Sequence, residues 1–506
     1  MNRPNILMIM ADQLPAATIG AYGHPIVKTP HMDRLAERGI LFENCYTNCP
    51  LCAPARAAMC TGKLVGKIGA FDNGTELPAQ IPTFLHHLRR AGYETILSGK
   101  MHFIGPDQLH GFERRLTTDI YPSFFNWTPD WRKGVYANPG TSVSQLAETG
   151  LCTWNLQLDY DEEVQFRALE CLRDLARRQN GGRPFFLCAS YTHPHDPWLI
   201  TRKYWDRYDH DEIDMPAAPA VPMEDMHPFD RWLQIHHMVD KFPPTDEMIR
   251  TTRHAFYGMI AYFDEKVGEL LDEMDRLGLA ENTIVLLTSD HGEMMGEHGM
   301  WFKRTFFDWS ARIPFLAAWP GRWPGGRRAK GVISLVDLFP TILDIASLDD
   351  LGEVAATVDG NSFSNLLEAD DPAWKDYAIS EYYGEGVIQA GRMLRKGRHK
   401  YIYVHEEAPR LFDMEADPNE LNDLAGAPEA ADVETEMRAL ILKDWDVERI
   451  EAEVMRSQQD RFAIKEAVGE DHTNLWDFQP PFDARQQYVR LKDAQEMNKR
   501  MRYPKA

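Results

Sequence analysis

The stretch NTIVLLTSDHGE, residues 282–293, is an apolar, β-prone run that stops abruptly at an acid and a histidine. Three other segments share that layout: PNILMIMA before Asp12, YETILSGK before His102, and RPFFLCASYT before His193 and His195. Between them, HMDRLAERG, IPTFLHHLRRAG and AYFDEKVGELLDEMDRLG place apolar residues three and four apart, the spacing of a helix with one buried face. Strands alternating with helices predict an α/β fold, a mostly parallel central sheet sandwiched by helices. Ligands of such sheets sit beyond the carboxyl ends of the strands, so all four polar clusters point to one edge. A single Asp or His after a strand serves equally well as a turn or helix cap. Four clusters rich in Asp, His and Lys make a site the stronger reading.

Working outward, the texture changes beyond about residue 370. Short strand-like pieces, GVIQAGRMLR, HKYIYVHE and RLFDMEADP, predict a small antiparallel sheet packed on the main body. From about 450 the chain is polar and aromatic-spotted, which predicts an arm lying on this or a neighbouring subunit. The expected organisation is therefore a catalytic domain over 1–370, a small α+β subdomain over 371–450 and an arm over 451–506. The spans 120–160 and 205–245, rich in Pro, Trp and Asp, read as loops over the site.

Composition narrows the functional classes. A formal charge of −22 repels polyanions and argues against nonspecific nucleic-acid binding. No apolar run approaches the ~20 residues of a membrane helix. MNRPNILMIMADQ reads as a first strand and not as a signal peptide, because its apolar run ends directly in an acid. Seven cysteines, an odd and modest count, argue against a disulfide framework and for a reducing cytoplasm.

Four of those cysteines, Cys45, Cys49, Cys52 and Cys60, crowd in and just before NCPLCAPARAAMCTGK, residues 48–63. They are open to several readings: metal ligands, a redox pair, inert core, or one nucleophile among bystanders. Cys49-Pro-Leu-Cys52 is formally C-x-x-C, so zinc or an iron–sulfur cluster is one alternative. Pro54 fits the first turn of a helix through ARAAMCTG, since its missing N–H would be unpaired there anyway. Cys52 then stands at a helix N-terminus, where backbone N–H groups and the dipole favour an anion such as sulfate or phosphate. Arg56, one turn on, adds a cation.

CAPARAAMCTG also carries C-x-P-x-R followed by TG, and in this it resembles the type I sulfatases of the alkaline phosphatase superfamily. The resemblance implies that Cys52 is oxidised to formylglycine by a formylglycine-generating enzyme. The hydrated aldehyde then attacks sulfur with one hydroxyl and expels sulfate through the other. Asp12, Asp290 and His291, with residue 52, match a metal set seen in phosphonate monoester hydrolases and choline sulfatases; Gln13 stands where many relatives have a second acid. Such a set implies one hard divalent cation, Ca²⁺ or Mn²⁺, with the histidine tilting it toward Mn²⁺. Lys100 and His102 of SGKMH, His195 of THPH and Lys303 of MWFK match the family's sulfate-side positions, and Asn73 of FDNG completes the set. The implied roles are charge on the sulfuryl oxygens for Lys100 and Lys303, and protonation of the leaving alkoxide for His195 and Lys303. His102 is implied as acceptor of the diol proton during sulfate release, and His193 reads as structural.

Longer stretches, HLRRAGYETILSGKMHFIGPDQLHGFERRLTTDIYP, NWTPDWRKG, SYTHPHDPW, GMWFKRTFF and the terminal RYP, resemble choline sulfatases in particular. A quaternary ammonium calls for aromatic faces and an acid. The resemblance implies Trp127 as the aromatic contact, with Asn138, Glu385 and Asp493 as partners, the last from another subunit's tail. Ala137 departs from the pattern, standing where histidine is expected. Three functions follow: a cytoplasmic sulfatase acting on choline sulfate or a related small alkyl sulfate, an arylsulfatase or phosphonate monoester or phosphodiester hydrolase on the same scaffold, and a non-catalytic metal- or thiol-binding protein. Crossing tails imply a homo-dimer or tetramer.

Overall fold

The structure is a computed structural model that describes residues 3–135, 140–178, 182–348, 356–469, 475–487, 490 and 493–502. Its centre is an eight-stranded sheet in the order Arg327–Ala329, Ile40–Phe42, Phe315–Ala318, Thr283–Ser289, Asn5–Ala11, Phe185–Ser190, Glu94–Gly99, Arg114–Arg115. The four segments singled out in the sequence are the four adjacent strands Thr283–Ser289, Asn5–Ala11, Phe185–Ser190 and Glu94–Gly99, all parallel. Phe315–Ala318 runs antiparallel to both its neighbours.

Strand periodicity divides the apolar residues between two layers. Leu7, Ile9, Leu187, Val285 and Leu287 face a core shared with the helices Pro30–Arg38, Leu156–Arg177 and Asp246–Arg276. Ile6, Met8, Phe186, Cys188, Ile284 and Leu286 face the core shared with Cys52–Thr61, Phe84–Arg90 and Leu335–Ile345. Burial on both faces is why these strands read as unbroken apolar runs.

The register aligns Ala11 with Ser289, Met10 with Ser190 and Gly99 with Ser190, so the four strands end at one level. Gly99 is required there. Its φ is 115°, and a Cβ would lie 1.8 Å from the Ser190 carbonyl oxygen, so a side chain would push Lys100 away from the edge.

A four-stranded antiparallel meander, Tyr377–Tyr382, Gly391–Lys396, His399–Val404 and Arg410–Asp413, forms the smaller C-terminal sheet. It docks through an apolar cluster containing Phe229, Phe306, Tyr382, Ile402 and Phe412. Buried Lys400 crosses the seam to the Phe306 carbonyl at 3.0 Å and also donates to Glu420, on its own side, at 2.7 Å. The helix Val447–Val468 runs through residue 450 and buries Ile450 and Val454 in the same cluster.

Two spans read as loops contain helices. Leu156–Arg177 begins inside the first, its N-terminus held by Asn155, which accepts from Leu158 N at 2.9 Å. Pro228–His236 lies inside the second, with Pro228 in its first turn and the His227 side chain as cap. Their Trp, Asp and Pro content masked a short amphipathic pattern. Among the described residues no helix is long and apolar enough to cross a membrane.

Candidate active site

The helix Cys52–Thr61 is buried along its whole length and starts at Cys52 itself. Gly62, at φ 67°, closes it by donating to the Ala58 carbonyl at 2.8 Å. Cys52 Sγ lies 3.7 Å from Asp12 Oδ1 and 3.1 Å from His291 Nε2. One donor atom from each of Asp12, Cys52, Asp290 and His291 lies within 4.8 Å of all the others. The His291 tautomer follows from its other nitrogen: Nδ1 stands 3.0 Å from the Gly292 carbonyl, which only accepts, so Nδ1 carries hydrogen and Nε2 presents a lone pair. Burial lowers the His291 pKa to about 4, opposed by Asp290 and Asp12, so the ring is neutral at physiological pH. Two carboxylates and a neutral imidazole around residue 52 are a donor set suited to one divalent cation.

Arg56 organises this end. Its Nε donates to Asp290 Oδ2 at 2.8 Å, and Nη1 donates to the Lys100 carbonyl at 2.7 Å and to Ser190 Oγ at 2.9 Å. It thereby ties three strand ends to the nucleophile helix. Lys100 Nζ pairs with Asp12 Oδ2. Burial alone would raise the Asp12 pKa; Lys100, then His195, Arg56 and His291, outweigh it and hold the carboxyl well below its usual range.

Lys303 Nζ donates to Gln13 Oε1 and, at 2.6 Å, to His195 Nε2. His195 Nδ1 is 2.7 Å from the Asp196 carbonyl, which fixes it as the protonated nitrogen. Gln13 Nε2 donates to Glu293 Oε2 and, at 3.2 Å, to Asp196 Oδ1. Burial, with Asp196 nearby, pushes the Glu293 carboxyl up to about 8. Gln13 therefore bridges Lys303 and Glu293, accepting from the first and donating to the second.

His102 sits at φ 55° with neither ring nitrogen hydrogen-bonded. Its backbone N–H donates to Asp119 at 2.9 Å. Burial, reinforced by Lys100, holds its pKa well below the ordinary value, so it is a neutral ring with a lone pair available. Tyr121 was not legible as a site residue, yet its ring lies under Lys100 Nζ at 4.2 Å and its hydroxyl is 3.3 Å from His195 Nδ1. Trp127 meets His102 edge-on at 5.4 Å and Tyr121 at 4.9 Å. The only sequence signal for Tyr121 was its place in the strand-end stretch TTDIYP.

Asn73 Oδ1 accepts from Ala53 N at 3.0 Å, satisfying a first-turn N–H of the nucleophile helix. His193 donates Nδ1 to Asp161 at 2.6 Å and packs on Tyr262, a structural arrangement. Glu385 is buried, and Oε1 accepts from Arg304 Nη2 at 2.8 Å and Nε at 3.2 Å. Asp493 is exposed and accepts from Gln495 N at 2.8 Å at the start of the helix Ala494–Arg502, and it is not in the donor group around Cys52. Asn138 and Ala137 lie outside the described residues. Cys45 and Cys60 stand in the apolar layer beneath the sheet and Cys49 in the cluster under the smaller sheet; of the four crowded thiols, only Cys52 joins the metal-donor group.

The chain is similar to known proteins in sequence and in fold. Residues 4–348 match the Sulfatase family, residues 296–445 the family described as N-sulphoglucosamine sulphohydrolase, C-terminal, and residues 452–503 the family described as Choline sulfatase enzyme C terminal. The chain belongs to the sulfatase family, and it is a sulfuric ester hydrolase. It is 40% identical to a choline-sulfatase of Rhizobium meliloti (strain 1021), covering 96% of each chain, and 29% identical to an arylsulfatase of Clostridium perfringens, covering 88% of this chain and 95% of that one. Its fold is also that of a phosphonate monoester hydrolase of Agrobacterium radiobacter, with TM-score 0.67 and 24% identity over 89% of this chain and 96% of that one.

Proposed function

We propose that the chain hydrolyses a small alkyl sulfate of the choline sulfate type, using a formylglycine made from Cys52 and one divalent cation held by Asp12, Asp290, His291 and residue 52. The observation that carries this is the convergence of Cys52, Asp12, Asp290 and His291 at a buried helix N-terminus, with Lys100, His102, His195 and Lys303 around it. Cys52 Sγ marks where the diol oxygens would stand. Oxidised and hydrated, residue 52 supplies one hydroxyl to attack sulfur and a second whose deprotonation releases sulfate as the aldehyde reforms. Bound by these residues, a divalent cation, Ca²⁺ or Mn²⁺, would supply positive charge favouring deprotonation of the attacking hydroxyl and offsetting charge on the sulfate group.

The chain's own residues do the rest. Lys100 and Lys303 place charge on the sulfuryl oxygens, and Asn73, its Oδ1 accepting from Ala53 N, stands beside residue 52. The Lys303–His195 pair protonates the departing alkoxide, with Tyr121 and the Asp196 carbonyl fixing the imidazole. His102, neutral and without a partner, accepts the diol proton. Tyr121 and Trp127 offer aromatic faces to a quaternary ammonium, and the relative named a choline-sulfatase supports that choice.

One observation favours a second reading. Glu385, the acid expected to face the ammonium, is already paired with Arg304. An uncharged alkyl or aryl sulfate, or a phosphonate monoester, would need no such acid. Steady-state kinetics on choline sulfate, p-nitrophenyl sulfate and phenyl phosphonate separate the readings: the primary one requires choline sulfate to lead in kcat/KM, and parity among the three sinks it. The same reading places the chain in the cytoplasm, with a formylglycine-generating enzyme as maturation partner. We further assign residues 1–370 to catalysis, 371–450 to the smaller subdomain and 451–506 to an arm that joins copies of the chain into a dimer or tetramer, the arm beginning within the helix Val447–Val468 that packs on the smaller sheet.

A further inference from the structure

The segment that carries Tyr121 and Trp127 is irregular, and the helix Val447–Val468 grips it from behind. Gln458, Arg461 and Lys465 lie on one face of that helix at spacings of three and four residues. Gln458 Oε1 accepts from Trp131 N at 3.0 Å, Arg461 Nη1 donates to Thr128 Oγ1 at 3.2 Å, and Lys465 Nζ donates to the Asn126 carbonyl at 3.2 Å. Two of the three contacts fall on the residues flanking Trp127, and the third falls on Trp131, four residues on.

Arg461 has a second hold. Its Nη1 and Nη2 reach Asp72 Oδ1 and Oδ2 at 2.6 and 2.7 Å, a bidentate pair whose side chains are 4% and 0% exposed. Asp72 Oδ1 also accepts from Gly74 N at 2.9 Å, closing the turn that carries Asn73. Asn73 in turn holds Ala53 N beside Cys52. The turn and the Trp127 segment pack without a gap: a Cβ on Gly74 would stand 2.7 Å from Thr128 N.

We propose that Arg461 is a positioning residue: from the C-terminal helix it locks the Asn73 turn, which serves the sulfate, to the Trp127 segment, which serves the leaving group, and so sets the distance between the two halves of the substrate site. The fork of a guanidinium suits this, because it satisfies both Asp72 oxygens and still reaches Thr128. Lysine at this position keeps the charge and loses the fork. The proposal rests on the reading of Trp127 as the leaving-group wall.

The test uses the full chain with formylglycine content measured by mass in every preparation. Removing Arg461 alone would strand a buried carboxylate and risk unfolding. The informative variants are therefore Arg461→Lys and the charge-balanced double Asp72→Asn with Arg461→Gln. KM is the readout, since it does not depend on the fraction of folded or matured enzyme. For choline sulfate the double variant is expected to raise KM about tenfold or more with kcat per formylglycine changed less, and Arg461→Lys to raise it less than the double. A lowered melting temperature with unchanged KM in both variants overturns the proposal and makes Arg461 a structural ion pair only. If wild-type enzyme turns over sulfate esters while the variants keep its KM, only the positioning role falls; if wild type turns over none, both readings fall.

Discussion

The two ends of the active site are built differently. The sulfate end is made of residues one to five positions beyond parallel strands: Asp12, Lys100, His195 and Asp290, with Cys52 on the helix they surround. Strand register places them, and Arg56 ties them together. The leaving-group end is an irregular segment, held by groups more than 300 residues away in sequence: Gln458, Arg461, Lys465 and Asp477. On the proposed reading, attack on sulfur sits on regular structure, and choice of alcohol sits on a surface that depends on distant partners.

Changes at the sulfate end should cost most, and loss of the nucleophile should affect every substrate alike. Cys52→Ala is expected to lower kcat/KM by at least about 10⁴ on all esters, since nothing replaces the nucleophile. Lys303→Ala should cost about 10²–10³, chiefly in kcat, and less for p-nitrophenyl sulfate than for an alkyl sulfate, because a good leaving group needs little protonation. Equal losses on the two esters would remove Lys303 from leaving-group protonation. At the other end, Trp127→Ala should raise KM for choline sulfate about fivefold to tenfold while changing p-nitrophenyl sulfate little. A uniform effect on both would mean that Trp127 only supports the fold.

The smallest effect expected lies at neither end. Asp264, on the helix Asp246–Arg276, accepts from Met32 N at 2.8 Å and His31 N at 3.1 Å. Burial pushes its carboxyl up to about 7. The folded chain thus binds this proton more tightly than the unfolded chain, so the group's stabilising contribution is full below about pH 4 and is lost as pH rises through about 7. Asp264→Asn keeps an acceptor without a charge and should raise the melting temperature by about 1–2 °C at pH 8 and not at pH 4. Activity should be untouched. A change in kcat would show that helix packing on this face of the sheet reaches the site.

The same contrast explains what the sequence disclosed. The four central strands were legible because burial on both faces makes apolar runs that end at one level; Asp12, Asp290 and His291 stand just beyond them, and their reading as metal ligands came from the family resemblance. Cys52 and Arg56 were legible as a pattern with a mechanism: a helix N-terminus and a cation one turn on. Tyr121, Asp119 and Arg461 were not, because their roles arise from contacts between segments with no periodic signature. Glu385 was found by resemblance, but the partner that neutralises it, Arg304, sits beside Lys303 in sequence and gave no sign of its reach. The helices Pro228–His236 and Val447–Val468 were hidden by polar and aromatic residues that face the loops they hold.

Everything at the sulfate end depends on the chemical state of residue 52. Preparations matured to different extents can be compared by plotting kcat for a sulfate ester against the fraction of tryptic peptide containing residue 52 that has lost about 18 Da, the mark of thiol-to-aldehyde conversion. A straight line through the origin is the predicted result. Full activity in material whose residue 52 remains an unmodified cysteine would contradict it.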